Sequence, residues 1–203
     1  MTPTLHIHGP IGEGENTPPR IGAFLAENAG VPVVLVVNSY GGIASDGAAI
    51  MAQLEQHGQV RVDVMGVAAS AASLLIMGAA EIAMHTAAHL MIHEPSNLAW
   101  GTAEDLRREA DMLDKITETY AQAYSRATGH PVERIRAWMA AETWMTAEEA
   151  LALDFCDTTF GDEEVSKPEP VAAFDYTRFK APPAELVQLA KREGWAGQAA
   201  ETA

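Results

Sequence analysis

The first half of the chain alternates short apolar runs with segments whose apolar residues recur at helical spacing. Apolar runs bounded by turn-forming residues predict β-strands at Thr4–His8, Val33–Val37, Val60–Met65 and Leu90–Ile92. The helical patterns between them cover Ile21–Asn28, Ile43–Gln56 and Ala69–Ala79. Because strands that alternate with helices are typical of parallel sheets, the sequence predicts an α/β fold.

The longest amphipathic pattern runs from residue 102 to residue 128 and predicts a single long helix. Thr102 and Asp105 resemble a capping pair at its start, and Gly129 and Pro131 end it. At 1.5 Å per residue this helix is about 40 Å long. A compact domain of this size buries less than that length, so we expect part of the helix to project.

The amino-acid composition of the chain changes after Phe160. Two shorter helices are predicted before that point, at Pro131–Ala141 and Ala147–Leu153. An acidic stretch and four prolines follow it, and only Pro183–Glu193 has a helical pattern. We therefore divide the chain into a domain of residues 1–160 and an acidic, proline-rich C-terminal tail of residues 161–203, which we expect to be partly ordered.

Composition and charge narrow the function classes. The 203 residues carry 13 Lys and Arg against 28 Asp and Glu, a formal net charge of −15. Since clustered cations bind phosphates and anionic lipids, we expect no nucleic-acid or membrane partner. Residues 1–15 lack the basic and apolar regions of a signal peptide, and Val62–Met84 is too polar for a membrane span. A cytoplasmic protein is expected, and the single cysteine, Cys156, fits a reducing compartment.

The first candidate for chemistry is the glycine pair of Asn38-Ser39-Tyr40-Gly41-Gly42, between a predicted strand and a predicted helix. Two glycines permit positive φ angles and bring backbone N–H groups close to a ligand. An ordinary strand-to-helix turn explains the same residues. A phosphate-binding loop is not supported, because the sequence has neither G-x-x-x-x-G-K-[ST] nor G-x-G-x-x-G at this place.

The second candidate is Ser70, which is surrounded by small residues in the stretch Met65–Ser73. Small neighbours allow a tight turn that presents a hydroxyl at a helix N-terminus, where free N–H groups favour developing negative charge. This arrangement resembles a nucleophile elbow, although the G-x-S-x-G motif is absent. A plain N-cap or a packed small residue explains the same serine.

The third candidate is His93, in Met91-Ile92-His93-Glu94-Pro95 at the end of a predicted strand. A lone histidine is commonly structural or exposed, and the chain has seven. Two pairs have spacings that metal sites use, His6 with His8 and His85 with His89. No third ligand has a suitable spacing, so we expect no metal and no cofactor.

Taken in order, these features resemble the caseinolytic-protease proteolytic subunit, the ClpP family of serine peptidases. The series is the glycine pair, Gly-x-Ala-Ala-Ser ending at Ser70, Met-Ile-His-x-Pro around His93, the long helix, and Trp144-Met145-Thr146-Ala147-Glu148-Glu149-Ala150. The resemblance covers about Thr4 to Phe160. It implies a ClpP/crotonase-like fold of repeated β-β-α units in a superhelix, with the long helix as a projecting handle.

The resemblance also assigns roles to residues. Ser70 is implied as the nucleophile and His93 as the general base. Glu142 stands where the family usually has an Asp, and a carboxylate there still orients an imidazole and stabilises its cation. The N–H groups of Gly42 and Ala71 are implied as the oxyanion hole. The function expected from this set is a serine endopeptidase.

Partners follow from the same resemblance. Relatives stack rings of seven subunits through the handle, which implies a homo-oligomeric ring, a heptamer or a tetradecamer, that acts on polypeptides. The chain begins almost at the first predicted strand, so we do not expect an AAA+ ATPase partner. The short start, Glu142 and the tail are most like phage or prophage ClpP-like proteins, which implies a head maturation protease.

Two other readings share parts of this pattern. Crotonase-like acyl-CoA enzymes also build oxyanion holes from glycine-loop N–H groups, but they lack the Ser and His pair at these places. A non-catalytic, ring-forming assembly protein would keep the fold without the chemistry. Intact Ser70 and His93 favour the peptidase.

Overall fold

The computed structural model describes residues 2–161 and 172–197. Its centre is a seven-stranded sheet in the order β1-β2-β3-β4-β7, with β5 paired to β3 and β6 paired to β5. The strands are β1 Thr4–His8, β2 Val33–Ser39, β3 Val60–Ala69, β4 Glu81–His85, β5 His89–Ile92, β6 Thr143–Thr146 and β7 Thr158–Phe160. Every pairing is parallel except that of β5 with β6.

Helices lie between most of these strands, as the sequence predicts, and one helix follows the last strand. They are α1 Pro18–Glu27, α2 Ala44–His57, α3 Ala71–Ile76, α4 Ala103–Thr128, α5 Val132–Ala141, α6 Ala147–Ala152 and α7 Ala184–Arg192, with a 3-10 turn at Tyr176–Arg178. The main core lies where the helices cover the strands, and fully buried Leu35, Val62, Leu54 and Leu75 belong to it. The predicted α/β class with parallel pairing is confirmed.

Strand β3 is longer than predicted, and its length builds the site. Its residues 61–64 pair with β4, and its residues 67–69 pair with β5. The prediction ended the strand at Met65 and started a helix at Ala69, which is wrong at both boundaries. Pairing with β5 overrides the helix propensity of Ala68 and Ala69, and both are fully buried.

Three strands have no counterpart in the prediction. They are β4, β6 and β7, and each has only three to five residues. Runs this short carry little periodicity, and their strand conformation depends on partners distant in the sequence, since β4 pairs with β7 and β5 with β6.

The long helix α4 is confirmed, and so is its projection. Thr102 and Asp105 form the expected capping box, and Gly129 ends the helix in the left-handed conformation. The first buried residue of α4 is Thr117. The first half of the helix therefore extends beyond the core.

Residues 172–197, called here the C-terminal segment, pack against the sheet. Ala172 and Tyr176 are fully buried, and the predicted helix at Pro183–Glu193 is confirmed as α7. Most of the predicted acidic, proline-bearing stretch falls at 162–171, outside the described residues. The division of the chain at residue 161 stays a prediction.

Candidate active site

Ser70 lies in the turn between β3 and α3. Its backbone has φ 56° and ψ −125°, a conformation that side-chain-bearing residues adopt only when their surroundings enforce it. Here the Ser70 N–H donates to the Met91 carbonyl at 3.0 Å, and the Ser73 hydroxyl donates to the Ser70 carbonyl at 2.7 Å. These contacts hold the sharp turn that the small residues of the sequence indicate.

His93 follows β5, the strand that pairs with the end of β3. Because β3 and β5 run parallel, their carboxyl ends lie side by side, and the two residues that follow them meet. His93 Nε2 lies 2.8 Å from Ser70 Oγ, within hydrogen-bond reach. The sequence predicts this pair, and the structure brings it together.

The protonation of His93 suits a base. Burial lowers the pKa of its imidazole below the ordinary value. The charge of Glu142 raises the pKa, that of Lys180 lowers it, and that of Glu94 raises it. A lowered pKa keeps the ring neutral near neutral pH, and a neutral ring can accept the Ser70 proton.

The glycine loop packs against this pair so closely that side chains are excluded. A Cβ on Gly41, whose φ is +105°, would lie 2.6 Å from Ser70 Cβ, and one on Gly42 would lie 2.2 Å from the Ile11 carbonyl oxygen. Two backbone hydrogen bonds fix the loop: Ile11 N–H to the Gly41 carbonyl at 2.8 Å and Ile43 N–H to the Ile11 carbonyl at 3.0 Å.

Two backbone donors at this place are free to bind a ligand. Among residues 2–161 and 172–197, neither the Gly42 N–H nor the Ala71 N–H donates a hydrogen bond. Both residues line the same cleft as Ser70. Free N–H groups beside a nucleophile are what an oxyanion requires.

Glu142 is buried beside His93 but directs its carboxylate elsewhere. It ends α5 with φ 54°, and only 5% of its surface is exposed. Its Oε1 accepts from the Ala181 N–H at 2.7 Å and from Trp144 Nε1 at 3.3 Å, and its Oε2 accepts from the Lys180 N–H at 2.9 Å. Within the described ranges no hydrogen bond joins Glu142 to His93, so the two interact through charge.

A cleft of about 400 Å³ opens in front of Ser70 and His93. Its far wall is formed by α4, which contributes Leu113, Ile116 and Tyr120 together with the carboxylate of Glu109. An extended chain with apolar side chains fits such a wall better than a compact, highly charged ligand does.

The C-terminal segment contacts this site, which the sequence did not lead us to expect. The Phe179 ring packs edge-on to the His93 ring, with centroids 6.0 Å apart, and Phe174 stacks on Tyr40 at 4.1 Å. A signal was present in the sequence, because Phe174, Tyr176 and Phe179 fall within six positions of a stretch interpreted as a tail. Aromatic residues at that density are unusual in a solvated segment.

The described residues contain neither a candidate metal cluster nor a candidate membrane-spanning helix. In residues 2–161 and 172–197, no group of three or more His, Cys, Asp or Glu side chains could hold a metal ion. None of the helices described is both long enough and apolar enough to cross a bilayer.

Comparison with known proteins places this site in a family context. The family model described as Clp protease matches residues 21–162. The ATP-dependent Clp protease proteolytic subunit 2 of Thermobifida fusca (strain YX) is 33% identical over 135 residues, which are 65% of this chain and 66% of the relative. Subunit 1 of Protochlamydia amoebophila (strain UWE25) is 34% identical over 140 residues, 66% of this chain and 68% of the relative. The matches thus span about two thirds of each relative.

Proposed function

The chain belongs to the Clp protease family, and we propose that it is a serine endopeptidase with Ser70 as its nucleophile. The observation that carries this proposal is the 2.8 Å contact between Ser70 Oγ and His93 Nε2. It occurs at the edge of a cleft, beside two backbone N–H donors that have no hydrogen-bond partner among the described residues. A nucleophile, a base and an oxyanion site are the parts that acyl transfer needs.

The mechanism follows from these positions. His93 Nε2 takes the proton of the Ser70 hydroxyl as Oγ attacks the substrate carbonyl carbon. The resulting oxyanion is bound by the N–H groups of Gly42 and Ala71. His93 then donates its proton to the leaving amine, which departs as the acyl-enzyme forms. Water activated by the same imidazole hydrolyses that ester and restores Ser70.

In this proposal Glu142 acts on His93 through its charge. Its charge raises the pKa of His93, so it stabilises the imidazolium that forms when the Ser70 proton is transferred. A direct hydrogen bond to the His93 ring is not required for that effect. We therefore keep Glu142 as the third member of the site and assign it no proton transfer.

The substrate class we propose is an unfolded polypeptide, and the assembly a homo-oligomeric ring of seven or fourteen subunits. The support for assembly is a set of large apolar side chains on and before the handle: Leu98, Trp100, Leu106 and Met112 are 87%, 88%, 44% and 54% exposed. Apolar surface concentrated in one region is typical of protein contacts. Size-exclusion chromatography with light scattering, with peptide cleavage assayed across the same peak, tests both ideas.

Within this class we propose a phage head maturation protease, which acts on capsid and scaffold precursors. The proposal is supported by the likeness of Glu142 and of the chain beyond residue 160 to phage ClpP-like proteins. Incubation with a head-protein precursor and with casein tests it. Cleavage of the precursor at one site supports this substrate, whereas equal, unspecific cleavage of both leaves only the general peptidase.

A fluorophosphonate probe tests the central assignment. We expect it to label the wild-type chain, and we expect Ser70→Ala to lose both labelling and peptide cleavage while its thermal melt is unchanged. Ser45→Ala is the control, because Ser45 is an exposed serine of the same cleft and we expect its variant to remain labelled. Peptide turnover by Ser70→Ala close to that of wild type would remove Ser70 as the nucleophile. A wild-type chain that neither cleaves peptide nor reacts with the probe would favour the crotonase-like or the non-catalytic reading.

A further inference from the structure

The first ten residues of the C-terminal segment, 172–181, contact three places at the proposed active site: the chain leading into the glycine pair, the base and the acid. At the glycine loop, the Ala172 N–H donates to Asn38 Oδ1 at 3.1 Å and Phe174 stacks on Tyr40. At the base, Phe179 packs edge-on against the His93 ring. At the acid, the N–H groups of Lys180 and Ala181 donate to the two carboxylate oxygens of Glu142.

These contacts belong to a packed piece of structure. Tyr176 is fully buried, its hydroxyl donates to the Ala172 carbonyl at 2.9 Å, and its ring meets Trp144 at 6.4 Å. Asp175 accepts from the Thr177 N–H at 3.1 Å and from the Gly197 N–H at 2.8 Å, which ties the two ends of the segment together. The segment is therefore docked in one defined arrangement.

Glu142 depends on this docking for its hydrogen bonds. A buried carboxylate is costly unless donors surround it, and bonds from N–H groups to an ionised carboxylate are among the stronger ones in proteins. Two of its three donors are backbone N–H groups of the C-terminal segment, and the third is Trp144 Nε1 at the longer distance of 3.3 Å. Without the segment, the longer contact from Trp144 Nε1 would be the one hydrogen bond left to the carboxylate among the described residues.

We infer that residues 172–181 are a positioning element of the catalytic site, in which Phe179 holds the His93 ring and the Lys180 and Ala181 N–H groups orient Glu142. This inference rests on the proposed function, since it concerns the same Ser70 and His93. It goes beyond the family match, which ends at residue 162. None of residues 172–181 lines the cleft, so the element acts on kcat and leaves substrate binding unchanged.

The charge of Lys180 acts on His93, so its removal should change the pH dependence of the reaction. The charged groups that act on His93 are Glu142 from the end of α5, Glu94 from the chain after β5, and Lys180 from the C-terminal segment. The Lys180 cation lowers the pKa of His93. Lys180→Gln is therefore expected to move the acid limb of the kcat/KM profile to higher pH, an effect that a purely structural role would not produce.

The decisive experiment compares the same substitution at two places in the full-length chain. Ala181→Pro removes the N–H that donates to Glu142 Oε1. Ala184→Pro is the matched control, because residue 184 is the first of α7, where proline is tolerated and its N–H has no partner in the described chain. We expect Ala181→Pro to lower kcat about tenfold with KM within twofold of wild type, and Ala184→Pro to match wild type in both.

If the thermal melt shows that the Ala181→Pro variant does not fold, a second pair of variants tests the same inference. Phe179→Ala removes the ring that faces His93, and Phe179→Tyr keeps it. We expect a tenfold lower kcat for the alanine variant and recovery to within threefold for the tyrosine variant.

Wild-type kcat in a folded Ala181→Pro or Phe179→Ala variant would overturn the inference, and so would a loss of activity shared equally by Ala184→Pro. Failure of the proposed function looks different. In that case the wild-type chain itself neither cleaves peptide nor reacts with a fluorophosphonate at Ser70.

Discussion

Replacing Gly41 by alanine tests the close fit between the glycine loop and the nucleophile. The added Cβ would lie 2.6 Å from Ser70 Cβ, 2.8 Å from the Ala69 carbonyl oxygen and 3.2 Å from the Ala71 nitrogen. All three neighbours belong to the nucleophile turn, and two of the contacts involve backbone atoms. No flexible side chain is available to move away, so the loop and the turn must separate.

The separation can be estimated from these distances. An ordinary contact begins at 3.4 Å, so the 2.6 Å approach must open by about 0.8 Å. A displacement of about 1 Å at a reacting centre costs on the order of a hundredfold in rate. Loss of one oxyanion donor costs about the same, 10²–10³ in kcat or about 3–4 kcal/mol. We therefore expect kcat to fall about a hundredfold in Gly41→Ala.

A fluorogenic peptide assay with a thermal melt measures this effect. Gly58→Ala is the matched control, because Gly58 also has a positive φ of +72° but its added Cβ would meet nothing closer than 3.9 Å. The control carries the conformational cost of about 1–2 kcal/mol without touching the site, so its melt should fall while its kcat stays at the wild-type value. A folded Gly41→Ala variant with kcat within threefold of wild type would refute the reasoning.

Three further predictions address other parts of the molecule. Glu142→Gln removes the charge that raises the pKa of His93, so the acid limb of the pH–rate profile should move to lower pH. Part of the turnover should be retained, and an acid limb that does not move would contradict this electrostatic role. Tyr124→Phe loses the buried 2.9 Å hydrogen bond to Ser73 and should lower the free energy of unfolding in urea by about 1 kcal/mol; an unchanged midpoint would count against that bond. Trp100→Ser should lower the assembled mass in light scattering without changing the melt of the subunit; unaltered mass would remove Trp100 from the proposed contact.

The pairing of Ser70 with His93 was predictable through the family resemblance, because the motifs around both residues match those of the ClpP family. The predicted strand ended at Met65 and did not lead to Ser70, whereas in the structure both residues directly follow parallel strands whose carboxyl ends meet. The handle was predictable for a different reason, because its cap at Thr102 and its end at Gly129 are local signals that need no tertiary partner. Local signals were sufficient for the handle, whereas the pairing of Ser70 with His93 needed the motifs taken as a set.

The boundaries of β3 could not be obtained in this way. Residues 65–69 contain a glycine and two alanines, which favour neither a strand nor a long helix with any strength. Their strand conformation comes from β5 on one side and β2 on the other, through the pairs Ala68 with Leu90 and Ser39 with Ala68. Gly66 is needed for a reason that only the packing reveals, since a Cβ there would lie 2.7 Å from Asn38 Oδ1.

The hydrogen-bond partners of the Glu142 carboxylate could not be predicted from the sequence, for a more general reason. The sequence indicates a carboxylate at this position, but its main partners are backbone N–H groups 38 and 39 residues away, and every residue except proline has such a group. A backbone N–H donor does not require a particular residue type, so no sequence motif could identify Lys180 and Ala181 as the donors. What the sequence does contain is the aromatic set that holds those donors in place, Phe174, Tyr176 and Phe179. In a chain whose acid is oriented by main-chain groups, the residues to look for are therefore the apolar side chains that dock the donor segment.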